Sequence, residues 1–276
     1  MEFIYKIIYI IFLMYCYKYK KKIYENNRRQ INLIENNIID LNYIKSLKKV
    51  VYTALFGNYD KIHSIQQEDG YDYFMFTDQK LENKTTNWTI LNVEQNLNFS
   101  NKREVMKKQR FYKTHPHLFF KNYDLSIYID TTFKINGNLD DFLLRIFNPN
   151  LDIYVLEHPS IITINNEFDA ILHFKKESLD IINPIRERYK KEKFPDDNGH
   201  AECCLIIRKH NELNCINFME SWFYQISHYS YRDQLSFNYI LWKNQNKNVK
   251  YISKEFINKY FNQTLFHLKY FVFKAL

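Results

Sequence analysis

The segment DLSIYIDTTFKING, Asp124 to Gly137, constrains the fold of this chain more than any other. Leu125, Ile127, Tyr128 and Ile129 form a short apolar run that leads to one carboxylate, then to small polar residues and Gly137. A run of this length bounded by turn residues reads as a buried strand that ends in Asp130. Two other segments share the shape. VVYTALFGNYD, Val50 to Asp60, is a strand entering a glycine-containing turn, and YDYFMFTD, Tyr71 to Asp78, is a strand ending in Asp. One such Asp needs no function, because Asp is favoured in turns and at helix starts. The set implies more. In open α/β sheets, ligands gather at the carboxyl ends of the strands, and a carboxylate placed there can hold a divalent cation against a phosphate oxygen. Together the three segments predict an enzyme that handles a nucleotide-activated substrate.

The rest of the chain fits that frame. Strands are expected at 50–56, 71–77, 88–93, 124–129, 152–156 and 203–208, and helices at 101–114, 139–147, 166–192 (broken near Pro184), 211–228 and 231–243. Strands alternating with helices predict an α/β fold, a mostly parallel sheet with helices on both faces. With 276 residues, 46% of them hydrophobic, there is material for one domain with a large core plus appendages. The domain is expected to span residues 49–250, and the aromatic tail, 251–276, to form a helix that packs back on it.

Before the domain lie two segments. Residues 1–22 are strongly apolar from Phe3 to Tyr17, with Lys6 inside the stretch. The uninterrupted part is shorter than the roughly 20 residues a spanning helix needs, but Lys6 can snorkel and the flanking tyrosines suit a membrane interface. No small-residue cleavage site follows, so the segment reads as an uncleaved N-terminal membrane anchor, with a helix packed on the domain as the alternative. Lys18, Lys20, Lys21 and Lys22 follow it, which by the positive-inside rule favours a cytoplasmic domain. Residues 23–48 carry Ile31, Ile34, Ile38 and Leu41 at helical spacing, a stalk or docking helix too short for a coiled coil.

The net charge of +8 permits anionic partners, but no groove-reading motif is present, so nucleic acid is not expected. The four cysteines include no CxxC pair, which argues against a zinc site.

Several clusters can carry chemistry. After the first strand, Gly57 lets the backbone turn sharply and approach a ligand, and Thr53 and Tyr59 flank that turn. In NKREVMKKQRFYKT, Arg103, Lys107, Arg110 and Lys113 share one helical face. Such a face can clamp a diphosphate, although by spacing alone a solvated basic face is the simpler reading. FPDDNGHAECCLIIRKHN is a turn followed by a strand that ends in Arg208 and His210, expected beside the other strand ends. SYRDQLSFNYILWK begins a helix with Arg232, Asp233 and Gln234 in its first turn. The helix dipole alone favours Asp there; the functional reading points Asp233 and Gln234 into a site.

In this order, the phrases VYTALFGNYD, YDYFMFTD, QRFYKTHPHLFFKNYDLSIYIDTTFKINGNLDDFL, EHP, FPDDNG, LIIRKHN and YRDQLSFNYILWK resemble the glycosyltransferase-like family catalogued as domain of unknown function 616. They cover roughly residues 49–243. The resemblance implies a GT-A-like nucleotide-diphospho-sugar fold and hexosyl transfer from a nucleotide-diphosphate sugar to a glycan, protein or lipid acceptor. It implies Mn²⁺ or Mg²⁺ at Asp130, and donor contacts from Thr53, Gly57, Tyr59, Asp78, Arg110 and Lys113. It implies a sugar or acceptor pocket from His158, Glu167, Arg208, His210 and Arg232, and catalytic roles for Asp130, Asp233 and Gln234. Two departures stand out. The usual GT-A signature has two Asp in D-x-D, where this chain has Asp130-Thr131-Thr132, and the segment after His158-Pro159 has Ile161 and Asn165-Asn166-Glu167 where the family usually has an Arg and a Tyr-Glu-Glu. These departures motivate the alternative of a catalytically degenerate nucleotide-sugar- or glycan-binding protein on the same fold.

Overall fold

The computed structural model describes residues 39–57, 63–79, 86–93, 102–161 and 163–263. The expected membrane anchor, most of the expected stalk, and Tyr59 lie outside them. Among the described residues no helix is long and apolar enough to cross a membrane.

The chain divides into two compact units. The larger comprises Ile39–Glu157 and Ala201–Leu276; the smaller contains His158–His200. The larger unit is built on a seven-stranded sheet of order β3-β2-β1-β4-β7-β6-β8. Its strands are β1 (Lys49–Leu55), β2 (Tyr71–Thr77), β3 (Thr89–Asn92), β4 (Leu125–Ile129), β6 (Ile153–Glu157), β7 (Ala201–Arg208) and β8 (Val249–Ile252). The pairs β1–β2, β2–β3, β1–β4 and β6–β8 are parallel, whereas β7 runs antiparallel to both β4 and β6. The expected α/β architecture, a mostly parallel sheet flanked by helices, is therefore present.

β1 and β4 are buried along their whole lengths, which is why they read as continuous apolar runs rather than alternating ones. Helices cover both faces. On one face Val51, Met75, Ile127, Ile129 and Ile207 join Leu139, Phe142, Leu143 and Ile146 of α4 (Leu139–Ile146) in one core cluster. Asn138 caps that helix by accepting from the Asp141 N–H at 2.7 Å. On the other face Tyr52 and Tyr128 lie 5.3 Å apart between ring centroids. This side carries α2 (Lys102–Thr114), α7 (Leu213–His228) and α8 (Gln234–Lys243), with Trp222 and Phe237 packed edge to face at 5.0 Å. Two short helices, α1 (Leu41–Ser46) and α3 (Pro116–Phe119), join these elements.

The tail departs from the helix expected there. Within the described residues it forms β8, the one-turn helix α9 (Lys254–Ile257) and β9 (Phe261–Gln263), which pairs antiparallel with β5 (Phe133–Ile135). The Asn136 and Gly137 N–H groups both donate to the Tyr260 carbonyl, at 3.0 and 3.1 Å. A side chain at Gly137 would meet Tyr260 Cα at 2.8 Å, so glycine is needed for this close approach. The tail thus clamps the segment that follows Asp130.

In the smaller unit, the single helix expected over 166–192 is two helices, α5 (Ile164–His173) and α6 (Leu179–Lys191). The break lies before Pro184: Lys175 takes the left-handed conformation (φ 50°) just after α5, and Pro184 is accommodated inside α6. Phe168 of α5 and Tyr189 of α6 pack with their rings 5.9 Å apart.

Candidate active site

The register of β1, β2 and β4 brings three strand ends to one edge of the larger unit. Tyr52 pairs with Tyr128 and Leu55 with Thr77, so Gly57, Asp78 and Asp130 all follow at the carboxyl edge. A narrow cleft opens there, lined by Thr53, His63, Ser64, Ile65, Met75, Trp88, Ile129, Asp130, Thr131 and Phe133. The Thr53 hydroxyl is buried and has no hydrogen-bond partner among the described residues. Leaving a buried polar group unsatisfied is costly, which marks this hydroxyl as a candidate donor or acceptor for water or a ligand.

Asp130 is the carboxylate of the cleft. Its backbone N–H donates to the Cys204 carbonyl at 2.8 Å, which extends the β4–β7 ladder and fixes where the side chain starts. The Tyr128 hydroxyl donates to Asp130 Oδ1 at 2.7 Å and accepts from Gln109 Nε2 at 2.7 Å. Tyr128 and Asp130 are two residues apart, so they share a face of the strand. Burial, reinforced by the Asp130 charge, pushes the Tyr128 phenol far above its ordinary range, so it remains a neutral donor.

Beneath Asp130 lies a buried ion cluster. Lys113 Nζ is 2.5 Å from Asp233 Oδ2 and 3.8 Å from Asp130 Oδ1, and Arg110 Nε is 3.1 Å from Asp233 Oδ2. The Arg110 contact is an ion pair without hydrogen-bond alignment, since its Nε makes no hydrogen bond. Lys113 is 1% exposed, Arg110 8% and Asp233 4%. The two cations of the basic helix face are therefore not solvated, contrary to the simpler reading of their spacing. Burial by itself would raise the Asp233 carboxyl, but Arg110 and Lys113 outweigh it and hold it at about 2. Asp233 caps α8, and its carbonyl accepts from the Trp222 indole N–H at 3.0 Å.

The other residues singled out from the sequence fall in different places. Gly57 (φ 67°) donates its N–H to both Asp78 carboxylate oxygens, at 3.0 and 3.1 Å. Asp78 thus holds the turn. Gln234 begins α8, and Arg232 just before it is partly exposed, its guanidinium making no hydrogen bond or ion pair among the described residues. Arg208 and His210 are not at this edge. Because β7 is antiparallel, Arg208 pairs with Ser126 at the start of β4, the opposite edge from Asp130. There Arg208 is fully buried, donating to the Lys113 carbonyl at 2.8 Å and to the Tyr52 hydroxyl, so it closes the C-terminal end of α2. His210 Nε2 bonds the Phe120 carbonyl at 2.8 Å, and burial lowers its imidazole to about 4.

His158 and Glu167 belong to the smaller unit. His158 Nδ1 accepts from the N–H groups of Ser160 (3.2 Å) and Ile161 (2.8 Å) and shapes a turn. Glu167 is 3% exposed, its Oε2 3.6 Å from the buried His200 Nε2. Two residues that sequence reasoning passed over, Tyr128 and Gln109, orient Asp130. The i, i+2 spacing of Tyr128 and Asp130 was the available signal.

The donor set does not fit a divalent cation at Asp130. Among the described residues, no three His, Cys, Asp or Glu side chains converge to hold a metal. Thr132 stands where a second carboxylate would, Asp130 Oδ1 already faces a hydroxyl and an ammonium, and Asp233 is balanced by two cations.

No curated protein matches the chain. Among solved structures, the bifunctional glycosyltransferase WbbM, in its apo form, matches with 15% identity and a TM-score of 0.46, over 79% of this chain and 40% of that one. The chain thus spans less than half of that protein's length. Residues 16–269 match the family described as TOD1/MUCI70, glycosyltransferase-like domain. The chain belongs to the TOD1/MUCI70 glycosyltransferase-like family.

Proposed function

We propose that this protein transfers a hexosyl group from a nucleotide-diphosphate sugar to a hydroxyl of a glycan, protein or lipid acceptor. The observation that carries the reading is the cleft at the carboxyl edge, lined both by the oriented, partly exposed Asp130 and by the Thr53 hydroxyl, which has no partner among the described residues. Family membership supports glycosyl transfer in general; the hexosyl donor and the acceptor are our reading. In the reaction the bond between the sugar C1 and the diphosphate oxygen breaks, and its electron pair leaves with the diphosphate. The acceptor oxygen forms the new bond to C1 and gives up its proton to solvent. Thr53 and Asp130 serve the nucleoside hydroxyls, and the net positive charge around Asp130 favours the negative charge that develops on the diphosphate. Asp233 acts through Lys113 and Arg110 as a positioning group, and Gln234 faces the acceptor.

One observation favours a second reading, a protein that binds the donor without transferring it. Among the described residues Asp130 is the one carboxylate lining the cleft, and Asp233 is committed to two ion pairs. Incubating the chain with UDP-, GDP- and ADP-hexoses and a panel of acceptors tests both. Transfer that Asp130→Ala abolishes supports the first reading, binding without turnover supports the second, and wild-type turnover in that variant contradicts the assignment of Asp130.

A further inference from the structure

The cluster whose donor set does not suit a metal also supplies what a metal would do. A leaving diphosphate needs positive charge near its oxygens, and in this fold class the expectation is a cation bridging a carboxylate and the phosphates. Here two carboxylates, Asp130 and Asp233, are met by two buried cations, Arg110 and Lys113, and a divalent ion on Asp130 would have to sit beside an ammonium that cannot move away. Lys113 is 1% exposed and held by Asp233 at 2.5 Å. Arg232 is then a third cation: its charge helps to hold the Asp233 carboxyl low, but among the described residues it makes no hydrogen bond or ion pair with that carboxylate. It precedes Asp233 in the chain, is partly exposed, and its guanidinium makes no hydrogen bond or ion pair among the described residues; its Nε is buried and unsatisfied. A guanidinium presents paired donors in the geometry of phosphate oxygens, and an unpaired one beside a balanced cluster gives the site a net positive charge.

We propose that this chain binds its donor's diphosphate without a divalent cation, with Arg232 as the group that contacts the phosphate oxygens. The inference rests on the nucleotide-sugar reading given above and deepens it. Arg110 and Lys113 are balanced by Asp233 and Asp130 together and hold Asp130 in place; Arg232 provides the charge left over for the ligand.

Calorimetric titration of the full chain with UDP, GDP and ADP, first in EDTA and then in Mn²⁺, tests it, using wild type, Arg232→Ala and Arg232→Lys. The expected result is that one nucleoside diphosphate binds in EDTA with an affinity that Mn²⁺ changes by less than about twofold. Arg232→Ala is expected to weaken it by about 10- to 100-fold, as for loss of a charge-assisted hydrogen bond, and Arg232→Lys to restore part of the loss. Because Arg232 is partly exposed, the melting temperature of Arg232→Ala should stay close to wild type, which separates a binding role from a structural one. Binding seen only with Mn²⁺, or wild-type binding by Arg232→Ala, would overturn the proposal while leaving the donor reading in place. Absence of nucleotide binding in both buffers would overturn the donor reading and the proposal with it.

Discussion

Lys113 Nζ sits 2.5 Å from Asp233 Oδ2 and 3.8 Å from Asp130 Oδ1, so one buried ammonium links the first turn of α8 to the end of β4. The two carboxylates come from segments 103 residues apart in the chain, at 130 and 233. Removing one member of a buried ion pair leaves its partner charged and unsatisfied, at a cost of about 3–5 kcal/mol. Lys113→Met should therefore lower the unfolding free energy by that amount in a urea titration. A loss below about 1 kcal/mol would mean the cluster is hydrated and weak.

Acid sensitivity should reflect Asp233. Its carboxyl is held at about 2 against an ordinary value of 3.8. A depressed carboxyl contributes stability that is fully present above the unfolded value and is lost as pH falls from about 4 toward 2. At 1.36 kcal/mol per unit this is about 2 kcal/mol. Asp233→Asn, although less stable at neutral pH, should show a flatter stability profile between pH 4 and pH 2 than wild type.

His210 should act in a separate window. Burial lowers it to about 4 from 6.5, so the folded protein keeps it neutral where the unfolded chain takes up a proton. Stability from this group is present above pH 6.5 and declines as pH falls toward 4, by up to about 3 kcal/mol. His210→Gln should reduce the pH dependence between 6.5 and 4, leaving the share due to His117, which burial also lowers, and leaving the Asp233 window intact. An unchanged slope there would assign the effect to another group.

At Gly137 an added Cβ would lie 2.8 Å from Tyr260 Cα and 2.9 Å from the Lys259 carbonyl oxygen, both backbone atoms that cannot swing aside. Gly137→Ala should loosen β9 from β5 and destabilise the fold by about 1–3 kcal/mol. Faster amide exchange at Asn136 and Gly137, which donate to Tyr260, would show that the clamp itself has opened.

Much of the core was legible because β1 and β4 are buried on both faces and read as uninterrupted apolar runs. Strand direction was not legible. CCLII announces a buried strand whichever way it runs, and only its pairing shows that Arg208 faces the edge opposite Asp130. The tail misled because its aromatic residues suit a helix and an edge strand equally well, and the choice was made by its pairing with β5. Asp130 could be found from its place at a strand end. Its partners could not, because Lys113 and Asp233 meet through tertiary packing that no local spacing encodes. The basic face of α2 shows the same limit: Lys107 pairs with Glu104 on the surface at 3.8 Å, while Arg110 and Lys113 on that face are buried.

The most direct test of the whole account is a thermal-shift screen of the chain against UDP-, GDP- and ADP-hexoses, run in parallel on wild type and Asp130→Ala. The account predicts that one donor raises the wild-type melting temperature and that Asp130→Ala, still cooperatively folded without ligand, shows no such rise. No shift of the wild type with any donor, or an equal shift in the variant, would contradict a nucleotide-sugar site at Asp130.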